Sequence, residues 1–140
     1  MRSVVVATDG SPEALKAVSA AAEIARGGNA KVEVVYVSAP NLLPPQVYPD
    51  VVAKLEAEEK RYASEILKAA AGEVSRFGVA CDQVNLVGEP AESLAELADR
   101  ANVWMVVVGS RGRGAVARVL LGSVADRLVH ICKKPVLVVH

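Results

Sequence analysis

Short apolar runs alternate along the chain with longer segments in which apolar residues recur at helical spacing. The runs predict five strands, because short stretches rich in β-branched residues are typical of strands buried on both faces. These strands are residues 3–7, 31–37, 81–87, 103–108 and 135–140. The run at 103–108 is the most hydrophobic of the five.

Four helices are predicted between the strands. Ser11 is suited to cap the first, Pro12 to its first position, and Gly27 with Gly28 to its end. The second helix should run over residues 51–77. Its inner side would carry Tyr62, Ala63, Ile66, Leu67, Ala70 and Val74. Strict alternation without a composition break predicts one α/β domain over residues 1–140, an open parallel sheet with helices on both faces.

Composition narrows the class of partner. Apolar residues make up 52% of the chain and aromatic residues only 4%, so the core must be aliphatic. The 16 basic residues balance the 16 acidic ones, which argues against nucleic acid or an anionic membrane as partner. No apolar run approaches the roughly 20 residues of a membrane span. Cys81 and Cys132 form no metal-binding motif, and we expect a cytoplasmic protein without a bound metal.

Two loops carry candidate chemistry, and both follow predicted strands. Thr8–Ser11 follows the first strand, and the glycine-rich segment from Gly109 follows the fourth. In an open parallel sheet, ligands bind beyond the carboxyl ends of the strands, at the point where the strand order reverses. We therefore expect the two loops to face each other across one site.

The segment from Gly109 to Ser123 favours phosphate binding. Gly109, Gly112 and Gly114 allow backbone amides to approach an anion closely. Ser123, followed three residues later by Asp126, resembles a capping box that opens the last helix, whose free amides attract anions. Basic residues between the two clusters are Arg111, Arg113 and Arg118. The plainer alternatives are a tight glycine turn, a serine that only caps its helix and solvated arginines.

Established phosphate and catalytic motifs are absent. The P-loop pattern fails because Ala115 follows Gly114, and no dinucleotide fingerprint follows the first strand. His130 and His140 lack a nucleophile partner by motif, and Asp9 lacks the second acidic residue of a receiver domain. We therefore predict binding without catalytic residues.

The spacing Gly109-x-x-Gly112, nine residues, then Gly122-Ser123 resembles the ATP-binding signature of the universal stress protein family. The opening Val4–Ser11, the turn Gly88–Pro90 and the closing Lys134–Val138 are similar to that family as well. The resemblance implies a Rossmann-like sheet in the order 3-2-1-4-5 with ATP across the ends of the first and fourth strands. It favours the ATP-binding branch of the family.

The same resemblance gives roles to individual residues. It implies that Asp9 contacts adenosine, that Ala7 and Val37 line the adenine pocket, and that glycine and helix amides hold the phosphates. Arg111 is added on charge and location alone. The predicted nucleotide-binding residues are Ala7, Asp9, Val37, Val108, Gly109, Arg111, Gly112, Gly122, Ser123 and Val124. For Asp9 three roles stay open: a turn or cap, a ribose contact, or Mg²⁺ held against phosphate.

The leading hypothesis is an ATP-binding stress-response regulator, not an enzyme. It would act as a homodimer through the exposed edge strand Val136–Val139. The alternatives are a slow ATPase or phosphotransfer enzyme, and an interaction module without nucleotide. The proline-rich loop at 38–50 would then serve as a lid or a partner surface.

Overall fold

The computed structural model describes residues 1–111 and 122–140. Strands and helices alternate through these ranges, as predicted. The elements are β1 (Ser3–Ala7), α1 (Pro12–Gly27), β2 (Lys31–Ser38), α2 (Pro49–Ser75), β3 (Cys81–Val87), α3 (Pro90–Ala98), β4 (Val103–Gly109), α4 (Ser123–Ile131) and β5 (Val136–Val139). No helix of the described ranges is long and apolar enough to cross a membrane.

The strands form one parallel sheet in the order β3-β2-β1-β4-β5. The central strand β1 pairs on both sides, and Val6 stands between Val34 and Val107. The sequence order reverses at β1, whose neighbours are β2 and β4. This confirms the predicted α/β fold and strand order, and it places the switch point between β1 and β4.

Alternate residues of each strand enter two separate cores. Val4 and Val6 pack with α1 and α2 on one face, while Val5 packs with α3 and α4 on the other. All three are fully buried. Burial of a Val or Leu side chain stabilises a fold by roughly 1.5–3 kcal/mol, so a continuous apolar strand suits a sheet covered on both faces.

Most of the buried residues of helix α2 lie in its second half. Ala63, Ile66, Leu67, Ala70 and Val74 are buried, as predicted from their spacing. Tyr62 was assigned to the same inner side, but 39% of it is exposed. Tyr62 lies at the margin of this face, where its ring contacts the Tyr36 ring of β2 edge-on, with centroids 6.0 Å apart.

The proline-rich connection is shorter than its sequence suggested. Ser38 completes β2, and α2 begins at Pro49 rather than at 51 because proline suits the first helical position. Every residue from 39 to 51 is exposed. This segment therefore contributes little to the core.

Candidate functional site

The two loops singled out by the sequence meet at the carboxyl edge of the sheet. Their parent strands, β1 and β4, are neighbours. A Cβ atom built on Gly109 would lie 3.4 Å from the backbone oxygens of Glu13 and Arg111. The exit of β4 therefore packs directly against the first turn of α1 at the switch point, where ligands of open parallel sheets usually bind.

The β1–α1 turn is held by its own side chains. Asp9 Oδ1 accepts a hydrogen bond from the Ser11 amide at 2.9 Å, and Thr8 Oγ1 accepts one from the Gly10 amide at 3.1 Å. Gly10 has a φ of +83°, which glycine adopts without strain. The turn role expected for Asp9 is therefore present. A carboxylate can accept several hydrogen bonds, so this role is compatible with a ligand contact.

Ser11 caps α1, as predicted from its position before Pro12. Its hydroxyl accepts a hydrogen bond from the Ala14 amide at 3.2 Å. Ser11 is 5% exposed and Thr8 is 6% exposed. The first turn of α1 is thus fixed before any ligand arrives.

Ser110 connects β4, β5 and α4. Its amide donates to the Val139 carbonyl at 2.8 Å, and its carbonyl accepts a hydrogen bond from the Gly122 amide. Ser110 is 3% exposed. These backbone bonds bring the start of α4 beside the end of β4. Sequence reasoning gave no role to Ser110 or Thr8, although a small polar residue directly after a buried strand was an available signal.

Helix α4 begins one residue earlier than its capping pattern suggested. Gly122 is the N-cap, with extended backbone at φ −68° and ψ 159°, and its carbonyl accepts from the Asp126 amide at 2.9 Å. Ser123 is the first helical residue and makes no capping bond. The predicted Ser123–Asp126 capping box is therefore wrong, because Gly122 holds the cap position.

The first turn of α4 presents backbone N–H donors at the helix terminus. The first amides of an α-helix have no acceptor within the helix, and no side-chain cap is present at α4. The positive end of the helix dipole adds to their attraction for an anion. Among the predicted phosphate ligands, the amides of Ser123 and Val124 belong to this turn.

Packing alone constrains position 122 to glycine. A Cβ atom there would lie 3.0 Å from the Ser110 oxygen and 3.4 Å from Arg111 Cα. Both are backbone atoms, so the loop itself would have to move. A bulky substitution at 122 would therefore disturb the protein before it tested phosphate binding.

The predicted apolar residues of the site share one face of the sheet. Ala7, Val37, Val108 and Val124 all pack with the core formed by α3 and α4. Val108 is 3% exposed, and the other three are half-buried. Strand ends and the first turn of α4 thus supply apolar surface beside the free amides, which suits the flat apolar faces of a nucleobase.

The remaining predicted residues divide by location. Arg111 follows the β4 exit and is half-buried. Gly112, together with Gly114, Arg113 and Arg118, lies outside the described residues. The structure thus describes nine of the ten predicted site residues, at the carboxyl ends of β1, β2 and β4 and at the start of α4, and leaves Gly112 a prediction.

Other reactive side chains lie elsewhere. His130 is in the last turn of α4, where Nδ1 lies 2.7 Å from the Asp126 carbonyl oxygen. Burial raises the pKa of the Cys81 thiol, which makes it a poor nucleophile. No group of three or more metal-ligating side chains occurs in the described ranges.

Comparison with known proteins gives the same family over the full length. The model of the universal stress protein family matches residues 1–140. Universal stress protein MJ0531 of Methanocaldococcus jannaschii is 34% identical over 141 residues, covering 99% of this chain and 81% of that protein.

Two solved structures of similar proteins contain a bound nucleotide. A universal stress protein in complex with cAMP is 32% identical, with a TM-score of 0.74 and coverage of 99% of this chain and 96% of that one. A universal stress protein from Archaeoglobus fulgidus in complex with dAMP is 26% identical, with a TM-score of 0.78 and coverage of 100% and 98%. The family match and the fold agree: the chain belongs to the universal stress protein family.

Proposed function

We propose that the chain binds an adenine nucleotide, foremost ATP, at the switch point between the β1–α1 turn and the start of α4. The observation that carries the proposal is the junction of free helix amides, the close exit of β4 at Gly109 and an apolar wall on one face. Similar proteins bound to cAMP and dAMP support an adenine nucleotide.

Each group has a role in this proposal. The amides of Gly109, Ser123 and Val124 donate to phosphate oxygens. Ala7, Val37 and Val108 contact the base on the α3–α4 face. Asp9 accepts from a ribose hydroxyl or holds Mg²⁺ against the phosphates, and Arg111 adds positive charge. When bound, the nucleotide supplies the signal, and this chain orients it.

The proposal is a regulatory binding protein in stress response rather than an enzyme. None of the relatives quoted above carries the name of an enzyme. Cys81 and Cys132 are free thiols, as is usual in the reducing cytoplasm, where we place the protein. A homodimer through β5 completes the proposal, since β5 is an edge strand whose Leu137 is 39% exposed.

The second candidate ligand is cAMP, favoured by the complex of the 32% identical protein. Calorimetric titration of nucleotide-free protein with ATP, AMP and cAMP tests both candidates. We expect ATP to bind most tightly, because two separate sets of amides suit a polyphosphate better than one phosphate. A preference for cAMP would replace ATP as the ligand, and no binding at millimolar nucleotide would end the proposal.

Asp9→Asn isolates the charge of Asp9 from its turn role. The asparagine oxygen can still accept from the Ser11 amide, so the fold should persist. We expect at least a several-fold loss of ATP affinity, with no loss in Asp82→Asn, which makes the same change on the edge strand β3. ADP release that Asp9→Ala abolishes would instead establish the slow ATPase.

A further inference from the structure

The exposed large apolar side chains of the described residues concentrate before and within the first half of α2. Leu42 is 91% exposed, Val47 63% and Tyr48 48%. Val51 and Leu55 follow at 49% and 43%. Contiguous apolar surface of this kind usually marks an interaction site.

We name residues 49–62 of α2 the α2 arm. Throughout the arm, all of which the structure describes, Val52 is the one buried residue. The arm is nevertheless held in place. The helix continues into the buried turns from Ala63 onward, and the Tyr36 hydroxyl donates to Glu59 at 3.2 Å. Its orientation relative to the sheet is therefore fixed, and its outer face stays available.

The outer face carries an apolar stripe. Val51 and Leu55 are four residues apart, and Tyr62 follows at seven more, so all three lie on one side of the helix. This side is turned by about a quarter of a circle from the buried line through Val52 and Ala63. The stripe thus runs alongside the core contact but outside it.

Charges of alternating sign flank the stripe. In chain order they are Lys54, Glu58, Arg61 and Glu65, and all four are exposed. The ion pairs of the described residues involve none of them. Within one helix, a basic residue placed four before an acidic one is the weaker orientation of such a pair. Their spacing is better suited to a partner helix.

A second copy of the same helix provides the matching charges. In an antiparallel pair with Lys54 opposite Glu65 of the second copy, Arg61 stands opposite Glu58, and the two-fold axis repeats both pairs. In a parallel pair without a register shift, each charged residue would face the same residue of the second copy, and like charges would repel. The antiparallel register also brings Leu55 near Tyr62 of the second copy. The overlap covers residues 49–70, which is 22 residues or roughly 33 Å of helix.

We propose that the α2 arm is a self-association surface on which two copies of this chain pair their α2 helices antiparallel about a two-fold axis. The surface lies apart from β5, on the opposite half of the sheet, where α2 covers β2 and β3. Pairing through α2 and pairing through β5 therefore use separate surfaces.

Charge exchange tests the pairing. Sedimentation equilibrium of the Leu137→Glu variant, in which the β5 edge is blocked, isolates the α2 contact. We expect a dimer in that background, and a twofold lower mass after a further Leu55→Ser or Lys54→Glu substitution. Lys54→Glu combined with Glu65→Lys should restore the dimer. Lys60→Glu is the matched control, because it makes the same charge change on the opposite side of the helix.

Two results would overturn the proposal. One is a mass that Leu55→Ser and Lys54→Glu leave unchanged while circular dichroism shows intact folding. The other is a loss of ATP affinity in Leu55→Ser without a change of mass, which would make the arm a cover of the nucleotide site. Thermal unfolding of every variant separates loss of pairing from loss of fold.

Discussion

Gly28 ends α1 against the indole ring of Trp104. A Cβ atom at this position would lie 2.7 Å from Trp104 Cη2 and closer still to Cζ3. One face of the indole is covered as well, because the Arg2 guanidinium lies 3.9 Å from the ring centroid while donating to the Gly28 carbonyl. The ring therefore has little room to move aside.

Gly28→Ala should destabilise the protein by about 1–3 kcal/mol, as overpacking of this kind usually does. Thermal unfolding measures the loss, and the fluorescence of the single tryptophan reports displacement of the ring. Gly27→Ala is the control, because nothing lies within 4 Å of its Cβ position. Equal stability of the two variants would contradict this account.

Glu33 forms a buried ion pair at the opposite end of the sheet from the site. Its carboxylate accepts hydrogen bonds from Arg100 at 2.7 Å and from the Ser3 hydroxyl at 2.6 Å. Burial raises the pKa of Glu33, but the bonds from Arg100 and Ser3 outweigh it and hold the pKa below its ordinary 4.5. The folded state therefore favours the charged form.

A depressed pKa stabilises the fold above the pKa of the unfolded chain, and this stability is lost as pH falls through the folded value. We expect Glu33→Gln to cost about 2 kcal/mol near pH 7, with the difference from wild type narrowing below about pH 4. Urea unfolding across this range measures it. The exposed pair of Lys31 and Asp82 provides the control, since Asp82→Asn should cost under about 1 kcal/mol. A pH-independent difference would contradict the assignment.

Residues were predictable where their partners are close in sequence. Ser11 and Asp9 act within their own turn, so the local pattern contained their roles. In the sequence, Glu33 is a single polar residue in an apolar strand. Its partner Arg100 lies 67 residues later, so no local pattern indicates the pair. Only the folded structure shows that Glu33 forms an ion pair and is not a solvent-exposed residue of an alternating strand.

At the scale of elements, α4 provides the sharpest test of anion binding. Ser123 is its first helical residue, a position that accepts proline without breaking the helix. Gly122 before it has ψ 159°, the extended conformation that a following proline requires. Ser123→Pro therefore removes one backbone amide donor while preserving the helix.

We expect Ser123→Pro to lower ATP affinity at least tenfold with little change in melting temperature. Ser123→Ala keeps the amide and removes only the hydroxyl, so its effect should be smaller. Calorimetric titration of both variants decides which group binds. Equal affinity of Ser123→Pro and wild type would show that this amide does not contact phosphate.

Elements were easier to predict than their ends. Helical spacing in α2 correctly gave the buried line from Ala63 to Val74. The start of α4 was misplaced because glycine and serine both suit an N-cap, and the choice depends on the bond between Gly122 and Ser110. Tyr62 was misassigned because periodicity does not indicate where the margin of a buried face lies.

At the scale of the whole molecule, β3 and β5 form the two edges of the sheet among residues 1–111 and 122–140. If β5 forms the homodimer, a charge within that edge should prevent pairing, since strands avoid burying charge in an added ladder. We expect Leu137→Glu to halve the number of subunits, because Leu137 is exposed enough to tolerate the change in a single copy. Val87→Glu on β3 is the matched control. Sedimentation showing the reverse pattern would place the contact on β3.

Alternation of strands and helices was enough to predict the parallel α/β architecture. The order of the strands came from the resemblance to the universal stress proteins, since periodicity carries no information about which strands are neighbours. The site followed from the same two sources. The site residues at strand ends stay a proposal, and Gly112 stays a prediction because it lies outside the described residues.

The central claim is that backbone amides at the end of β4 and the start of α4 hold the phosphates of ATP. Amide-resolved nuclear magnetic resonance of ¹⁵N-labelled protein during an ATP titration tests it most directly. We predict the largest shifts at Gly109, Gly122, Ser123 and Val124, with smaller shifts at Ala7 and Val37. Shifts confined to other parts of the sheet, or no shifts at millimolar ATP, would contradict the claim.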